Sequence, residues 1–268
     1  MRLSERLEAI IDMMPPCRAA ADIGTDHGFV PIELVRRGIA ERAIGCDVRK
    51  GPLSSALEHV KRAGLEDKIA LRLGDGLSPL LKGEADTVII AGMGGTLISR
   101  ILEEGRETAE AFSEMILSPH TDVPLVRLKL QELKFRISAE KMVLEEGKYY
   151  VILRAVNSRN SGRGEIFENA SEAPSGDFLK EASENGEEAA PTDAMSCLTE
   201  DQLLFGPCLL KEKPSVFLRY ISEEIRKSGE LLEKLRKEEQ TEKIGERIFE
   251  EEEKLRLLDK ILKFSENE

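Results

Sequence analysis

Short apolar runs alternate with amphipathic segments over the first 156 residues of the chain. The apolar runs predict five strands, at residues 18–23, 42–46, 69–73, 86–91 and 115–117. Apolar residues at helical spacing predict five helices, at residues 1–14, 29–37, 52–63, 97–103 and 122–133. Two longer strands, at residues 135–144 and 149–156, flank Glu146-Gly147 and predict a hairpin. Repeated βα units followed by one hairpin indicate an α/β fold with a mostly parallel, doubly wound, Rossmann-like sheet and an antiparallel edge.

The last part of the chain, from about Pro214, has the pattern of long amphipathic helices. Seam positions recur at steps of four and three, first at Ile221, Ile225, Ser228, Leu232 and Leu235, then at Ile244, Ile248, Glu251, Leu255, Leu258 and Leu262. The two registers do not connect, so a break near residues 238–245 predicts two helices that form an antiparallel coiled-coil hairpin. The alternative is one long helix that pairs between chains. The break favours the hairpin, and with it a monomer over a coiled-coil homodimer.

The stretch between these two parts, residues 157–199, is rich in Ser, Glu, Gly, Ala and Asn and has no apolar periodicity. Residues 157–210 hold 11 acidic and 3 basic side chains, which is most of the chain's net charge of −12. Such a composition cannot bury enough apolar surface to fold. We therefore expect three parts: a first domain at residues 1–156, a disordered acidic insert at 157–200 and a helical coiled-coil domain at 201–268.

The composition argues against several classes of function. A net charge of −12 opposes indiscriminate binding to nucleic acid or to an anionic membrane, although the nearly neutral first domain leaves room for a local basic patch. The four cysteines form no C-x-x-C pair, which suggests neither a zinc site nor a disulfide framework, and we expect no bound metal. No apolar run approaches the length of a membrane span, and the N-terminus lacks a signal-peptide pattern. The expected location is the cytoplasm.

The most informative stretch is the turn that follows the first predicted strand, Asp22-Ile23-Gly24-Thr25-Asp26-His27-Gly28. Two glycines would let the backbone turn sharply and approach a ligand, and the helix after Gly28 would direct free N–H groups into the same space. No Gly-Lys-Ser/Thr follows, and Asp26 stands where a dinucleotide fingerprint has its middle glycine. A carboxylate there repels a pyrophosphate but suits a ligand with an amino group and a sulfonium, such as S-adenosyl-L-methionine. The alternative is an ordinary turn whose glycines serve geometry alone.

Three further strand ends are acidic or rich in glycine: Asp47, Gly74-Asp75-Gly76 and Gly92-Met93-Gly94-Gly95. In doubly wound sheets the ligand lies beyond the carboxyl ends of the strands. Asp47 ends the second strand, where an acid would accept hydrogen bonds from ribose hydroxyls. Asp75, between Gly74 and Gly76, could accept a hydrogen bond from the exocyclic amine of adenine. The alternative for both acids is a helix cap or a turn residue.

These motifs together carry a resemblance to a known family. The motifs are Asp22-x-Gly24-Thr25-Asp26-His27-Gly28-Phe29, Gly74-Asp75-Gly76, Gly92-Met93-Gly94-Gly95 and Ser118-Pro119-His120. They resemble those of the bacterial tRNA (adenine-N1)-methyltransferases that modify adenine 22 in the D-arm. The resemblance covers residues 1–156 and resumes at 203–207 and in the tail. It implies a class I methyltransferase fold, S-adenosyl-L-methionine as donor and tRNA as acceptor. The acidic insert is longer than the usual linker of this family.

The resemblance also bears on the reacting groups. Commoner adenine methyltransferases carry Asp/Asn-Pro-Pro-Tyr/Phe after the fourth strand, where this chain has Gly92-Met93-Gly94-Gly95. The change suits attack by a ring nitrogen better than by the exocyclic amine. Neutral adenine N1 has a free lone pair, so positioning should supply most of the rate, and a carboxylate would stabilise the charge that develops. Asp26 is the candidate carboxylate. His27 is a candidate for contacting or orienting the base, and its alternative is a structural histidine that holds the turn.

The predicted site therefore has two sets of residues. The catalytic candidates are Asp26 and His27, and the candidates for binding the donor are Asp22, Gly24, Thr25, Gly28, Asp47, Gly74, Asp75, Gly76, Gly92 and Met93. An acidic protein needs local attraction to hold tRNA, for which the candidate side chains are Arg2, Arg6, Arg18, Arg36, Arg37, Arg49, Lys50, Arg226, Lys227, Lys234, Arg236 and Lys237. Two alternatives stay open, an NAD-dependent oxidoreductase and a non-catalytic coiled-coil scaffold.

Overall fold

A computed structural model of the chain describes residues 3–160, 197–237 and 241–263. Its centre is a seven-stranded sheet of order β3-β2-β1-β4-β5-β7-β6. The strands are β1 Cys17–Ile23, β2 Ala40–Asp47, β3 Ile69–Leu73, β4 Thr87–Met93, β5 Glu114–Pro119, β6 Phe135–Glu145 and β7 Lys148–Asn157. The first five strands are parallel, and β7 runs antiparallel to β5 and β6. The carboxyl ends of β1 to β5 consequently lie along one edge of the sheet.

Helices cover both faces of this sheet because its central strands are apolar on both faces. The helices before residue 160 are α1 Glu5–Asp12, α2 Phe29–Arg36, α3 Lys50–Ala63, α4 Gly95–Glu104, α5 Arg106–Ala109 and α6 Val123–Glu132. Ile90 of β4 packs in a buried cluster with Ile98 of α4 and Val126 of α6. Its neighbour Ile89 faces the other way, into a cluster that includes Ile10 of α1 and Leu34 of α2. This two-residue alternation gives the sheet its two helical layers.

The predicted strands and helices of this part are all present, with most ends within two residues of the prediction. The predicted hairpin joins β6 and β7. The first helix is shorter than predicted, because Ser4 caps it by accepting a hydrogen bond from the N–H of Leu7. Helix α5 was not predicted, since four residues are too few to show a period.

The helical tail begins earlier than its amphipathic pattern suggests. It contains α7 Glu200–Phe205, α8 Pro207–Glu212, α9 Ser215–Leu235 and α10 Glu242–Lys263. Helices α9 and α10 are antiparallel: Ile221 packs with Leu258, and Lys254 Nζ lies 3.2 Å from Glu224 Oε2. Two helices with a break between them are therefore confirmed. Whether they pack as a regular coiled coil stays a prediction.

The insert predicted at residues 157–200 falls mostly at 161–196, which lie outside the described residues. Its first residue belongs to the sheet, because Asn157 ends β7 and is buried. The Asn157 side-chain amide donates to the carbonyls of Glu110 and Phe112 at 3.0 and 2.9 Å. The far end is also folded, since Thr199 and Gln202 form a capping box at the start of α7. The predicted boundaries at 157 and 200 are thus too wide at both ends.

A buried ion pair joins the tail to the sheet. The side chains of Arg127 in α6 and Glu140 in β6 are 1% and 0% exposed, and Arg127 Nε donates to Glu140 Oε1 at 2.9 Å. Arg127 Nη1 also donates to the carbonyls of Leu203 and Leu204 at the end of α7, at 2.8 and 3.0 Å. One guanidinium thereby satisfies carbonyls that a helix end leaves free.

The carboxylate of this pair is bonded to the next helix. Glu140 Oε2 accepts from the N–H groups of Cys208 and Leu209 at 2.9 and 3.3 Å, in the first turn of α8. Gly206, between α7 and α8, has a φ of +93°, and a side chain there would overlap with the Glu140 carboxylate. Residues 203–207, where the family resemblance resumes, are therefore the place where the pair holds both short helices.

We predict that Arg127→Met destabilises the protein by about 3–5 kcal/mol, because it leaves Glu140 charged and buried without its partner. Urea unfolding would measure the loss. Arg106→Met is the matched control, since Arg106 pairs with Glu103 at an exposed position, and it should change the unfolding free energy little. Equal effects of the two substitutions would contradict the anchoring role of the buried pair.

Candidate functional site

A cleft of about 500 Å³ opens at the carboxyl ends of the parallel strands. Nine of the twelve predicted site residues line it: Asp22, Gly24, Asp26, Asp47, Gly74, Asp75, Gly76, Gly92 and Met93. They come from the ends of β1, β2, β3 and β4, which the parallel pairing brings together. The other three, Thr25, His27 and Gly28, lie beneath or beside the turn.

The turn after β1 is tied to the end of β2. The N–H groups of Gly24 and Thr25 both donate to the carbonyl of Cys46, at 2.8 and 2.9 Å. Gly24 has a φ of +79°, and a side chain there would overlap with the Met93 methyl group. The left-handed backbone is what favours glycine at Gly24, since the flexible Met93 side chain could move aside. Thr25 is fully buried and packs under the turn against Gly45.

Asp22 is a buried carboxylate of the cleft with a clearly raised pKa. Its carboxylate is buried, and burial raises its pKa to about 6, with a further contribution from the negative charge of Asp47. The nearby Thr25 hydroxyl opposes this shift only in part, because it makes no hydrogen bond of good geometry. No described Lys or Arg side chain lies within ion-pair distance of Asp22. The carboxylate therefore favours a cationic ligand in the cleft.

Asp47 and the glycine pair after β3 form the opposite wall. Asp47 is buried, and its Oδ1 accepts from the N–H of Arg49 at 2.7 Å, while Oδ2 has no hydrogen bond to a described residue. The Asp47 carbonyl accepts from the N–H of Gly74 at 3.0 Å, which joins the ends of β2 and β3. A side chain at Gly74 would overlap with Pro79, so the chain passes closely here. One carboxylate oxygen is left to accept a hydrogen bond from a ligand.

The two catalytic candidates differ in position. Asp26 is exposed and lines the cleft. His27 has a φ of +61°, and its ring stacks on Phe29 with a centroid distance of 5.4 Å. His59 Nδ1 donates to the His27 carbonyl at 2.8 Å. The His27 ring does not line the cleft, but its Nε2 lies 3.6 Å from Oδ1 of Asp26, which does, so the role of His27 stays a prediction.

The cleft is also lined by polar residues that the sequence motifs did not assign to the site. His120 follows β5, and its Nε2 lies 2.8 Å from Arg6 Nη1. Arginine only donates, so Nε2 accepts and the neutral imidazole carries its proton on Nδ1. Burial lowers the pKa of His120, as do the positive charges of Arg6 and Lys148. Tyr150 packs edge-on against this ring at 5.3 Å and under the Arg6 guanidinium at 5.0 Å.

The predicted basic side chains are more scattered than expected. Arg2 lies outside the described residues. The prediction that Arg18 helps to hold tRNA at the cleft is wrong, because Arg18 lies at the amino end of β1 and pairs with Asp86. Arg36 and Arg37 end α2, away from the cleft, and pair with Glu33. Arg49 lines the cleft.

Most of the predicted basic side chains of the tail pair with nearby acids. In α9, Arg226 pairs with Glu230, and Lys227 pairs with Glu224. Arg236 pairs across the helix pair with Glu252. A phosphate would have to compete with these carboxylates.

Among the described residues, no three His, Cys, Asp or Glu side chains converge in a way that could hold a metal ion. None of the helices within the described ranges combines the length and apolarity needed to cross a bilayer.

The chain was then compared with known proteins. Residues 3–153 match the model of a family described as "Methyltransferase domain". Over 262 residues, the chain is 30% identical to the tRNA (adenine(22)-N(1))-methyltransferase of Bacillus subtilis (strain 168), covering 98% of both sequences.

Two solved structures match the whole chain. The crystal structure of the B. subtilis M1A22 tRNA methyltransferase TrmK has a TM-score of 0.76 and 30% identity, covering 97% of this chain and 99% of that one. A Streptococcus pneumoniae protein, Sp1610, solved in complex with S-adenosyl-L-methionine, has a TM-score of 0.74 and 29% identity, covering 97% and 100%. The match therefore extends through the sheet and the helical tail.

We predict that Asp22→Asn stabilises the free protein above pH 6. A carboxyl whose pKa rises from 3.8 to about 6 on folding lowers stability as pH rises through this interval, because the folded state must then carry a buried charge. The gain of the variant over wild type should reach at most about 3 kcal/mol at pH 8, fall to about 1 kcal/mol at pH 4.5 and vanish below about pH 3.

Thermal melts of both proteins at pH 4.5 and pH 8 would measure this difference. Asp26→Asn, at the exposed acid of the same turn, is the control and should change the melting temperature little at either pH. A gain for Asp22→Asn that does not depend on pH would contradict the assignment of a buried charge.

Proposed function

Because the chain belongs to the family of bacterial tRNA (adenine(22)-N1)-methyltransferases, we propose that it transfers the methyl group of S-adenosyl-L-methionine to N1 of adenine 22 in the D-arm of tRNA. The observation that carries this proposal is the 30% identity over 98% of both chains. The adenine N1 lone pair forms a bond to the methyl carbon, the bond from carbon to sulfur breaks, and the electron pair stays on sulfur. The products are a cationic 1-methyladenine and S-adenosylhomocysteine.

The cleft fits the donor chemically. S-adenosyl-L-methionine supplies an activated methyl group on a sulfonium. We propose that Asp22 holds the cationic amino group, since its carboxylate is buried without a positive partner among the described residues. Asp47 would accept hydrogen bonds from ribose hydroxyls through its unbonded Oδ2, and Asp75 would accept one from the adenine amine. Glycines along the same strand ends let the backbone approach closely.

The acceptor would enter beside Gly92 and Met93, at the end of β4. Here the cleft meets Arg6 and His120. Adenine N1 needs no general base, so the residues act by positioning the base in line with the methyl group. Asp26, on the rim of the cleft, would stabilise the positive charge that grows on the ring.

A groove of about 940 Å³ continues from the cleft to the helical tail and supports tRNA binding by both parts. His120 lines both cavities. Six acids line the groove, and one of them, Glu253, pairs with Arg256, so phosphates would have to compete with these carboxylates. The groove is also lined by Tyr149 of β7 and by Phe249, Arg256 and Lys260 of α10. We propose that tRNA lies across the first domain and the tail, with its phosphates near these basic side chains and the exposed ring of Phe249 beside them.

The remaining proposals concern the oligomeric state and the location of the protein. The α9–α10 pair buries its own apolar seam within one chain, which supports a monomer. A tRNA substrate supports location in the cytoplasm. The two alternatives, an NAD-dependent oxidoreductase and a non-catalytic scaffold, gain no support, because the named relative and the B. subtilis structure are methyltransferases.

Methyl transfer to unfractionated bacterial tRNA would test the function, with the labelled nucleoside identified by mass spectrometry. We expect 1-methyladenosine, and no product from a transcript with guanine at position 22. A different methylated nucleoside, or transfer to neither tRNA, would overturn the proposal.

We predict that Asp47→Ala weakens donor binding by about 1–3 kcal/mol, because ribose hydroxyls lose their acceptor. Calorimetry with S-adenosyl-L-methionine would measure the affinity. Asp67→Ala is the control, since Asp67 is an exposed acid at the amino edge of β3, and its affinity should match wild type. An unchanged affinity in a folded Asp47→Ala variant would move the ribose elsewhere.

We predict that Arg256→Gln with Lys260→Gln weakens tRNA binding while donor binding is unchanged. Each lost phosphate contact should also reduce the salt dependence of binding by about one in the log–log slope. Lys61→Gln with Lys68→Gln is the matched control at the opposite edge of the sheet. Equal tRNA affinities for the two double variants would show that α10 is not part of the tRNA-binding surface.

A further inference from the structure

Arg6, His120 and Tyr150 form a polar cluster where the donor cleft meets the groove. Arg6 and His120 line the cleft, and His120 also lines the groove. Gly92 faces them: a Cβ built on it would lie 3.8 Å from Arg6 Nη1 and 4.0 Å from His120 Nε2. No donor contact proposed above uses Arg6 or His120. An acceptor that comes from the groove would meet them beside Gly92.

The cluster presents a hydrogen-bond acceptor next to a donor. The single lone pair of His120 Nε2 accepts from Arg6 Nη1 at 2.8 Å. Arg6 has other N–H groups on its two Nη atoms, while its buried Nε lies 3.9 Å from Glu145 Oε2. The guanidinium can therefore release His120 and still donate to a ligand.

Both side chains are held in place by the backbone around them. The N–H of His120 donates to the Met93 carbonyl at 2.8 Å, which fixes it to the end of β4. The N–H of Arg6 donates to Glu145 Oε1 at 3.1 Å, which fixes α1 to β6. Tyr150 supports both side chains from β7. The two residues are thus positioned before a base arrives, and only the hydrogen bond between Arg6 and His120 has to open.

An acceptor beside a donor matches the Hoogsteen edge of adenine, where the N6 amine donates and N7 accepts. Guanine presents two acceptors there, O6 and N7. Resting on the proposed function, we propose that His120 Nε2 accepts from N6 of the target adenine while Arg6 donates to N7. This contact leaves N1 on the free edge of the base, toward the donor methyl. It also selects adenine over guanine, because O6 would face the His120 lone pair.

The test uses tRNAs assembled by ligation with one of three bases at position 22: adenine, purine, which lacks the amine, or 7-deazaadenine, which lacks N7. We expect wild type to lose about 10–100-fold in kcat/KM on either analogue. His120→Leu should lose a similar factor on adenine but at most about threefold on the purine tRNA, because the contact is already absent. Arg6→Met should likewise lose a similar factor in kcat/KM on adenine but at most about threefold on the 7-deazaadenine tRNA, which already lacks N7.

Further measurements separate this contact from a structural role. His120→Gln, whose amide oxygen still accepts, should recover part of the activity on adenine and none on purine. Donor affinity by calorimetry should match wild type in all three variants. Arg106→Gln, at the exposed pair on α5, is the control and should lose the same factor as wild type on each analogue.

The proposal is overturned if wild type methylates purine as fast as adenine, or if His120→Leu loses the same factor on both tRNAs. If His120→Leu does not fold, the ratio of kcat/KM on adenine to kcat/KM on purine still tests the proposal when it is measured for wild type and for His120→Gln. Wild-type protein that methylates none of the tRNAs would instead overturn the proposed function.

Discussion

Two N–H groups, those of Gly24 and Thr25, share one acceptor, the carbonyl of Cys46. This contact closes the turn after β1 against β2, and the Met93 methyl closes it against β4. The space left between them is the cleft. Asp22, Asp47 and the glycines meet there because parallel pairing aligns the strand ends.

The cleft is also where the structure departs from the usual rules of burial. Asp22 is a buried carboxylate without a cation, close to a second acid. Such a site costs stability in the free protein and gains it when a cationic ligand binds. Arg127 and Glu140 are the opposite case, since every bond they need comes from the chain itself. We propose that the first buried charge serves a ligand, whereas the ion pair serves the fold.

Much of this could be predicted from the sequence, and the misses have physical causes. Apolar runs located every strand, and the rule that ligands bind at carboxyl ends located the cleft and most of its lining. The direction of the His27 ring depends on a left-handed backbone that no pattern reveals. Arg6 and His120 are 114 residues apart, so their contact exists only in the folded chain. Asn157 looked like part of the polar insert because its buried amide bonds are long-range.

The buried Arg127–Glu140 pair also bears on how the chain is connected. Arg127 lies in α6 and Glu140 in β6, and the backbone groups that they bond lie in α7 and α8. Residues 161–196 separate these two regions in the chain. A polypeptide cut anywhere in that interval keeps both halves of the interface. The bonds of this pair therefore join the sheet to the tail independently of the covalent link through that interval.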